Sequence, residues 1–248
     1  MRVALAQSPR FRDPQAAASW LLERAPRADL LVLPEYWLGP RPLEGLQSVV
    51  SSMAELARSL GAVVVAGALA VKRGGEVKNV CPVVGPGGLV ALGEKVFPSA
   101  ATGERSLVSG GRRLALFEAA GWRVGCLACV DLAYPELARR LALAGAELIV
   151  NPASISADRR ELWRALGLAR AFENSIYVAA ALGTGYSYAD GRPAEGGSFV
   201  ASPNGALVDF GGEPGVYSAD LDKGEIAYAR ARRRYLEDAR RMPDVEVG

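Results

Sequence analysis

Three reactive side chains stand where apolar runs give way to turns: the thiol of Cys129, the carboxylate of Glu35 and the ammonium of Lys95. A thiol, a base to deprotonate it and a cation to hold a developing oxyanion are the parts of nucleophilic acyl chemistry. Cys129 follows Val124-Gly125-Cys126-Leu127-Ala128 and precedes Val130-Asp131-Leu132-Ala133-Tyr134-Pro135-Glu136, which reads as a strand, a turn and the opening of a helix. A strand end gives a side chain rigid support, and free amides in the turn donate to an oxyanion. The same position suits a cysteine that merely fills the core, as Cys126 and Cys81 are expected to do.

Glu35 emerges from Leu30-Leu31-Val32-Leu33-Pro34. Partial desolvation there would raise its pKa and make it a competent base toward a thiol, although the position alone fits an acid at a strand's exposed end. Lys95 lies in Leu92-Gly93-Glu94-Lys95-Val96-Phe97-Pro98, an apolar strand that stops at proline. It reads either as a fixed cation that lowers the thiol pKa and holds the oxyanion, or as an outward-facing strand residue. Glu104, after Gly103, either braces that ammonium and positions water or sits solvated in its loop. The chain contains no histidine, which excludes Ser-His-Asp triads, Cys-His dyads and His-bearing zinc sites. Any nucleophile must therefore be activated by something other than imidazole.

The elements that position these residues are short runs rich in valine, leucine and isoleucine. Strands are expected at 3–6, 30–33, 63–69, 80–84, 89–96, 114–117, 124–128, 148–150, 176–182, 198–201, 207–209 and 216–219. Amphipathic helices are expected at 14–24, 45–59, 135–144 and 159–173. Pro135 at the first helical position, Glu136 in the first turn and Gly145 beyond the end match the asymmetry of helix termini. Gly85-Pro86-Gly87-Gly88 and Pro203-Asn204-Gly205 read as hairpin turns, so antiparallel pairs are mixed with strand-helix-strand units. The fold class is α/β with two mixed sheets, each carrying helices on its outer face, in a single domain over 1–248.

With 50% hydrophobic residues the chain of 248 can bury a sizeable core, and Lys+Arg 29 against Asp+Glu 27 gives +2, too little for general attraction to nucleic acid or lipid. Three cysteines are too few and odd in number for a disulfide framework, which points to a reducing, cytoplasmic setting. The apolar run after Met1-Arg2 is too short for a signal peptide, and no run approaches the roughly 20 residues that span a bilayer. The one dense basic run, Arg230-Ala231-Arg232-Arg233-Arg234-Tyr235, is followed by Glu237 and Asp238 and reads better as a solvated or subunit-facing helix than as a nucleic-acid contact.

In their order along the chain, these motifs resemble the nitrilase superfamily of carbon-nitrogen hydrolases. The match runs from Val3-Ala4-Leu5-Ala6-Gln7 to Tyr217-Ser218-Ala219-Asp220 and includes Pro34-Glu35, Lys95 after a Gly-rich hairpin, and Cys-x-Asp-x-x-x-Pro-Glu from Cys129 to Glu136. Supporting matches are Asn79, Gly103-Glu104, Asn151-Pro152-Ala153 and Arg170-Ala171-Phe172-Glu173-Asn174. The resemblance implies a four-layer α-β-β-α sandwich. It assigns Glu35 as base, Lys95 as oxyanion cation, Cys129 as nucleophile, Glu104 as second acid and the Val130 amide as second oxyanion donor. It implies amide hydrolysis through a thioester without metal or organic cofactor, on a small-molecule amide or nitrile, in a homodimer or higher homo-oligomer. Nitrile and N-carbamoyl substrates are alternatives, as is a catalytically silent assembly scaffold. Ala133 and Val96-Phe97 depart from residues common in the family, and the segment after Asp222 is short for the tail that often braces its dimer. Trp37, Tyr134, Arg159, Tyr186 and Tyr188 could line a pocket or be plain packing and surface.

Overall fold

Successive residues of the first strand, β1 (Arg2–Gln7), enter different cores: Val3 and Leu5 face one hydrophobic cluster, Ala4 and Ala6 another. A strand covered on both faces is continuously apolar, which is why these runs do not alternate in sequence. The computed structural model describes residues 1–246 and 248. After β1 come α1 (Pro14–Arg24), β2 (Leu30–Val32), α2 (Gln47–Leu60), β3 (Val63–Val65), β4 (Leu69–Arg73), β5 (Glu76–Gly85) and β6 (Gly88–Glu94). Next are β7 (Ala115–Ala119), β8 (Trp122–Cys126), α3 (Pro135–Leu143), β9 (Leu148–Ala153), α4 (Arg160–Asn174) and β10 (Tyr177–Leu182). The remaining elements are β11 (Thr184–Ser187), β12 (Pro193–Glu195), β13 (Phe199–Ala201), β14 (Leu207–Asp209), β15 (Gly215–Asp220), α5 (Lys223–Arg233) and α6 (Tyr235–Arg240).

The strands form two large mixed sheets. One runs β15-β1-β2-β3-β5-β4 with β6 paired to β5; the other runs β14-β13-β10-β9-β8-β7; β11 and β12 make a separate ribbon. Between the sheets lies one core of Val3, Leu30, Val83, Val124, Leu148 and Ala179 with their neighbours. On the outer face of the first sheet, Leu21 of α1 and Met53 of α2 pack with Leu31 and Val64. On the outer face of the second, Leu141 of α3 and Ala171 of α4 pack with Ile149 and Val178. These three cores define four layers, α-β-β-α, as the resemblance implied.

Local chemistry sets the helix ends. The Asp13 carboxylate accepts from the Ala16 amide at 2.7 Å ahead of Pro14, and Asp222 does the same for Gly224 at 2.8 Å to open α5. The expected strand at 63–69 is broken in two, because Gly67 takes φ +70° and a Cβ there would lie 2.1 Å from the Pro34 carbonyl oxygen. The strand expected over 89–96 ends at Glu94: the Lys95 amide still reaches the Asn79 carbonyl of β5 at 2.8 Å, but the Val96 and Phe97 amides turn away to the Asp131 carboxylate. Helices α5 and α6 were not expected as core-packed elements, and few of their side chains are apolar and buried: Ile226, Ala229 and Leu236.

Candidate active site

Glu35 sits just past β2 and Lys95 just past β6, both in the first sheet, whereas Cys129 follows β8 in the second. The two sheets bring them together. Lys95 is 1% exposed, and its ammonium donates to Glu35 Oε1 at 2.8 Å and to Glu104 Oε2 at 2.6 Å. An ammonium has three protons, and no third acceptor bonds Nζ among the described residues.

The two acids are held differently. Glu104 Oε2 also accepts from the Ser99 amide at 2.6 Å, and Oε1 accepts from the Tyr36 hydroxyl at 2.6 Å and Asn79 Nδ2 at 3.0 Å. Its lone pairs are well occupied. Glu35 Oε1 accepts from Lys95 and from Asn79 Nδ2 at 2.9 Å, while no N–H or O–H donor reaches its Oε2 among the described residues. Burial would raise both carboxyls, but for Glu104 the Lys95 charge and this set of donors win and hold it below the ordinary range. For Glu35 burial wins over Lys95, Glu104 adds to it, and the carboxyl lies above its ordinary value. The lysine stays charged: burial opposes the charge, but Glu35 and then the other anionic neighbours outweigh it and push the pKa up.

Cys129 opens a 3₁₀ turn, Cys129–Ala133, with φ at +44°, a left-handed conformation that costs a non-glycine residue about 1–3 kcal/mol. Its carbonyl accepts from Asn151 Nδ2 at 3.1 Å, and its thiol points to the Ser154 carbonyl at 3.5 Å. Asn151 is fixed in turn by the Trp163 indole at 3.0 Å. Buried Arg170 caps the far end of the turn through the Leu132 and Ala133 carbonyls, both at 3.0 Å. Lys95 was expected to lower the thiol pKa. It does pull in that direction, but burial and then the Glu35 charge are larger, and the thiol is pushed well above its ordinary value. Val130 follows within the same turn, where the opening amides of a helical segment are not needed for its own hydrogen bonds.

Two contacts lock the sheets in register around this cluster. Asp131 accepts from the Val96 amide at 2.8 Å and the Phe97 amide at 2.9 Å, tying the chain after Lys95 to the turn after Cys129. Burial pushes the Asp131 carboxyl up to about 6 even though both amides and Lys95 favour its ionised form. The Glu35 amide reaches the Ala153 carbonyl at 3.4 Å.

Of the five pocket candidates, Tyr186 and Tyr188 come near the cluster: both hydroxyls bond Ser154 Oγ, at 2.6 and 2.8 Å. Trp37 is instead core, 1% exposed with its indole on the Ala66 carbonyl, and Arg159 is a surface residue beside Asp158. Tyr134 packs against Phe97, the ring centroids 4.2 Å apart and the planes tilted by 32°. Sequence reasoning missed Tyr36, Ser154 and the bridging role of Asp131. Tyr36 and Ser154 adjoin motif residues but carry no spacing signal of their own. Among the described residues, no group of three or more histidine, cysteine or acidic side chains could hold a metal ion.

A histidine-free Glu-Lys-Cys cluster between two sheets of an α-β-β-α sandwich defines a class, and the chain belongs to the carbon-nitrogen hydrolase family, which it matches over residues 2–231. It is 30% identical to the 2-oxoglutaramate amidase of Bacillus subtilis over 235 residues, covering 90% of each chain. Among solved structures, the CN-hydrolase superfamily protein XC1258 from Xanthomonas campestris, with an arsenic adduct in its active site, superposes with a TM-score of 0.87 at 25% identity, covering 100% of this chain and 99% of its own. The amidase from Nesterenkonia sp. AN1, in a mutant with the acetamide moiety of fluoroacetamide covalently added at the active-site cysteine, is similar at 27% identity and a TM-score of 0.78, covering 98% and 97%.

Proposed function

We propose that this protein is an amidase that releases ammonia and a carboxylic acid from a small amide through a thioester on Cys129. The observation that carries the reading is the asymmetry of the two acids. Glu104 is engaged by four donors and anchors the lysine, while Glu35 keeps one oxygen free to serve as a base. The thiol rests protonated beside the Glu35 carboxylate. Glu35 takes that proton as sulfur attacks the amide carbon, and the oxyanion is held by the third proton of Lys95 and the Val130 amide. Glu35 then protonates the departing ammonia, the C–N bond breaks, and the thioester remains. Water enters, gives a proton to Glu35 and attacks the thioester carbon; the thiol leaves and recovers its proton.

On the substrate side we read the Tyr186-Ser154-Tyr188 hydroxyl cluster as the wall that orients the acyl chain. Arg10 lies 3.9 Å over the Tyr186 ring with its Nε buried and unpartnered, and Arg192 lies 5.7 Å over the Tyr188 ring. Arg192 is already paired with Asp190 at 2.8 Å, so it is the Arg10 cation that, with the similarity to a 2-oxoglutaramate amidase, favours an amide whose far end carries a carboxylate. Both sheets contribute to one site, which supports a single catalytic domain over 1–248. A cytoplasmic location is part of the same reading, on the three free thiols; no described helix is long and apolar enough to cross a membrane. So is a homo-oligomer, on the exposed Leu162 and Phe172 of α4.

The test is an ammonia-release screen over amides with and without a distal carboxylate, nitriles and carbamoyl compounds, run beside Cys129→Ala. Activity that survives in Cys129→Ala overturns the mechanism. A profile confined to nitriles or carbamoyl compounds keeps the residues and changes the reaction.

A further inference from the structure

The basic run that the proposed catalysis leaves unused folds back on the second helical layer. Arg230 Nη2 donates to the Ala146 carbonyl at 3.1 Å, and the corner between α5 and α6 faces the ends of α3 and α4. A cavity of about 130 Å³ lies there, lined by Arg230, Arg234, Arg240, Ser175, Tyr235 and Glu237 among others. Three guanidinium groups meet a single carboxylate, and that carboxylate is already spent on Arg234, which donates to Glu237 Oε2 from Nε at 2.8 Å. Arg230 and Arg240 are left without an acid of their own on this wall. Ser175 is 1% exposed, and its hydroxyl has no hydrogen-bond partner; Arg230 Nε is likewise buried and unpartnered. Buried polar groups left unsatisfied are costly, and paired like charges in a confined space add to that cost.

We propose that this cavity binds a small dianionic oxyanion, inorganic phosphate or the phosphate group of a monoester, between the guanidinium groups of Arg230 and Arg240 and the hydroxyl of Ser175. Two guanidinium charges with no carboxylate bonded to them on this wall match a dianion, and guanidinium forks match its oxygens. Burial, with the Arg240 charge adding to it, lowers the Arg230 pKa against the pull of Glu147. An anion there would reverse that strain. The ligand would join α3, the turn after α4, α5 and α6, so its binding should register as thermal stabilisation.

The full chain is titrated with sodium phosphate, and separately with glycerol 3-phosphate, against sodium chloride of matched ionic strength. Unfolding temperature and isothermal titration calorimetry are the readouts. The expected result is a phosphate-dependent rise beyond the chloride control, with one site per chain. Tighter binding of the monoester identifies a phosphorylated small molecule as the occupant, and tighter binding of phosphate identifies the free ion. Arg240 is exposed, so Arg240→Gln leaves the fold intact; it should weaken binding about tenfold, the loss of one charged hydrogen bond. Arg230→Gln should weaken it at least as much. Stabilisation by phosphate no greater than by chloride, or unchanged affinity in Arg240→Gln, overturns the proposal.

Discussion

Lys95→Met removes one charge while keeping most of the side-chain stem, and it isolates what that ammonium does. Nζ bridges Glu35 and Glu104 at 2.8 and 2.6 Å, with all three side chains buried. Taking the cation away leaves two carboxylates in the interior without their counter-charge, and breaking a buried ion pair from one side costs about 3–5 kcal/mol. In a chain of this size each kcal/mol moves the unfolding midpoint about 2–4 °C, so at neutral pH the midpoint should fall by about 6–20 °C. The pH dependence gives a sharper signature. In the wild type, Glu104 is held below the ordinary value of 4.5, so it contributes stability at neutral pH that is lost as the pH falls through its folded value. Glu35, held above 4.5, works in the opposite sense: its contribution is complete below that value and lost as the pH rises through its folded value. In Lys95→Met both acids lose the charge that offsets burial and keep only their hydrogen-bond donors, so both pKa values rise, and the variant should regain stability as the pH is lowered from neutral toward 4.5. Circular dichroism melts across that range measure the effect, and ammonia release should fall about 10²–10³-fold with the loss of an oxyanion donor. A midpoint within about 2 °C of wild type at neutral pH, or a deficit that does not shrink on acidification, would refute the reasoning.

Gly67→Ala should cost at least about 1–3 kcal/mol in chemical denaturation, because φ is +70° and the new methyl would meet the Pro34 carbonyl and, at 2.7 Å, Trp37 Cδ1; a wild-type midpoint would contradict that geometry. Asp131→Asn replaces one of two acceptors with a donor that faces the Val96 or Phe97 amide, at a cost of about 1–3 kcal/mol. Wild-type turnover should decline as the pH drops through about 6 and Asp131 protonates, and a variant that kept the same acid limb would show that this carboxylate is not its source. Ser154→Ala takes the shared partner from Tyr186 and Tyr188; KM for the best amide should rise about fivefold, one hydrogen bond's worth, with kcat changed less.

The sequence discloses this architecture where chemistry is local. Val3, Leu31 and Ile149 lie in runs too continuously apolar for a half-exposed strand, which identifies sheets covered on both faces before any contact is known. Pro135 and the glycine turns mark ends because they act through their own backbone. Elements set by distant contacts were less visible. The break at Gly67 exists because Trp37 and Pro34 pass beneath it, and α5 adheres through so few apolar side chains that its pattern reads as solvent-facing. The site divides in the same way. Glu35, Lys95, Glu104 and Cys129 stand out as polar groups at the ends of apolar runs, and the structure brings all four together. The elevated thiol pKa was not legible, because it comes first from burial and then from the Glu35 charge, which Lys95 offsets only in part; one ammonium against two carboxylates leaves the cluster anionic before the thiol ionises.

That net charge explains why the site needs both sheets. An anionic, buried cluster would favour a neutral thiol and an idle carboxylate unless each group were held at a fixed distance and angle. The restraints are spread across the sandwich: Asp131 from the second sheet grips the amides after Lys95, the Glu35 amide reaches Ala153 from the first, and Asn151 fixes the Cys129 carbonyl. Two residues in left-handed backbone, Tyr36 beside Glu35 and Cys129 itself, sit on opposite sides of this junction. Such strain persists only where the surroundings over-determine it. The inter-sheet core is therefore more than a source of stability. By fixing one sheet against the other it sets the separation of thiol and carboxylate, and mutations deep in that core should alter turnover before they unfold the chain.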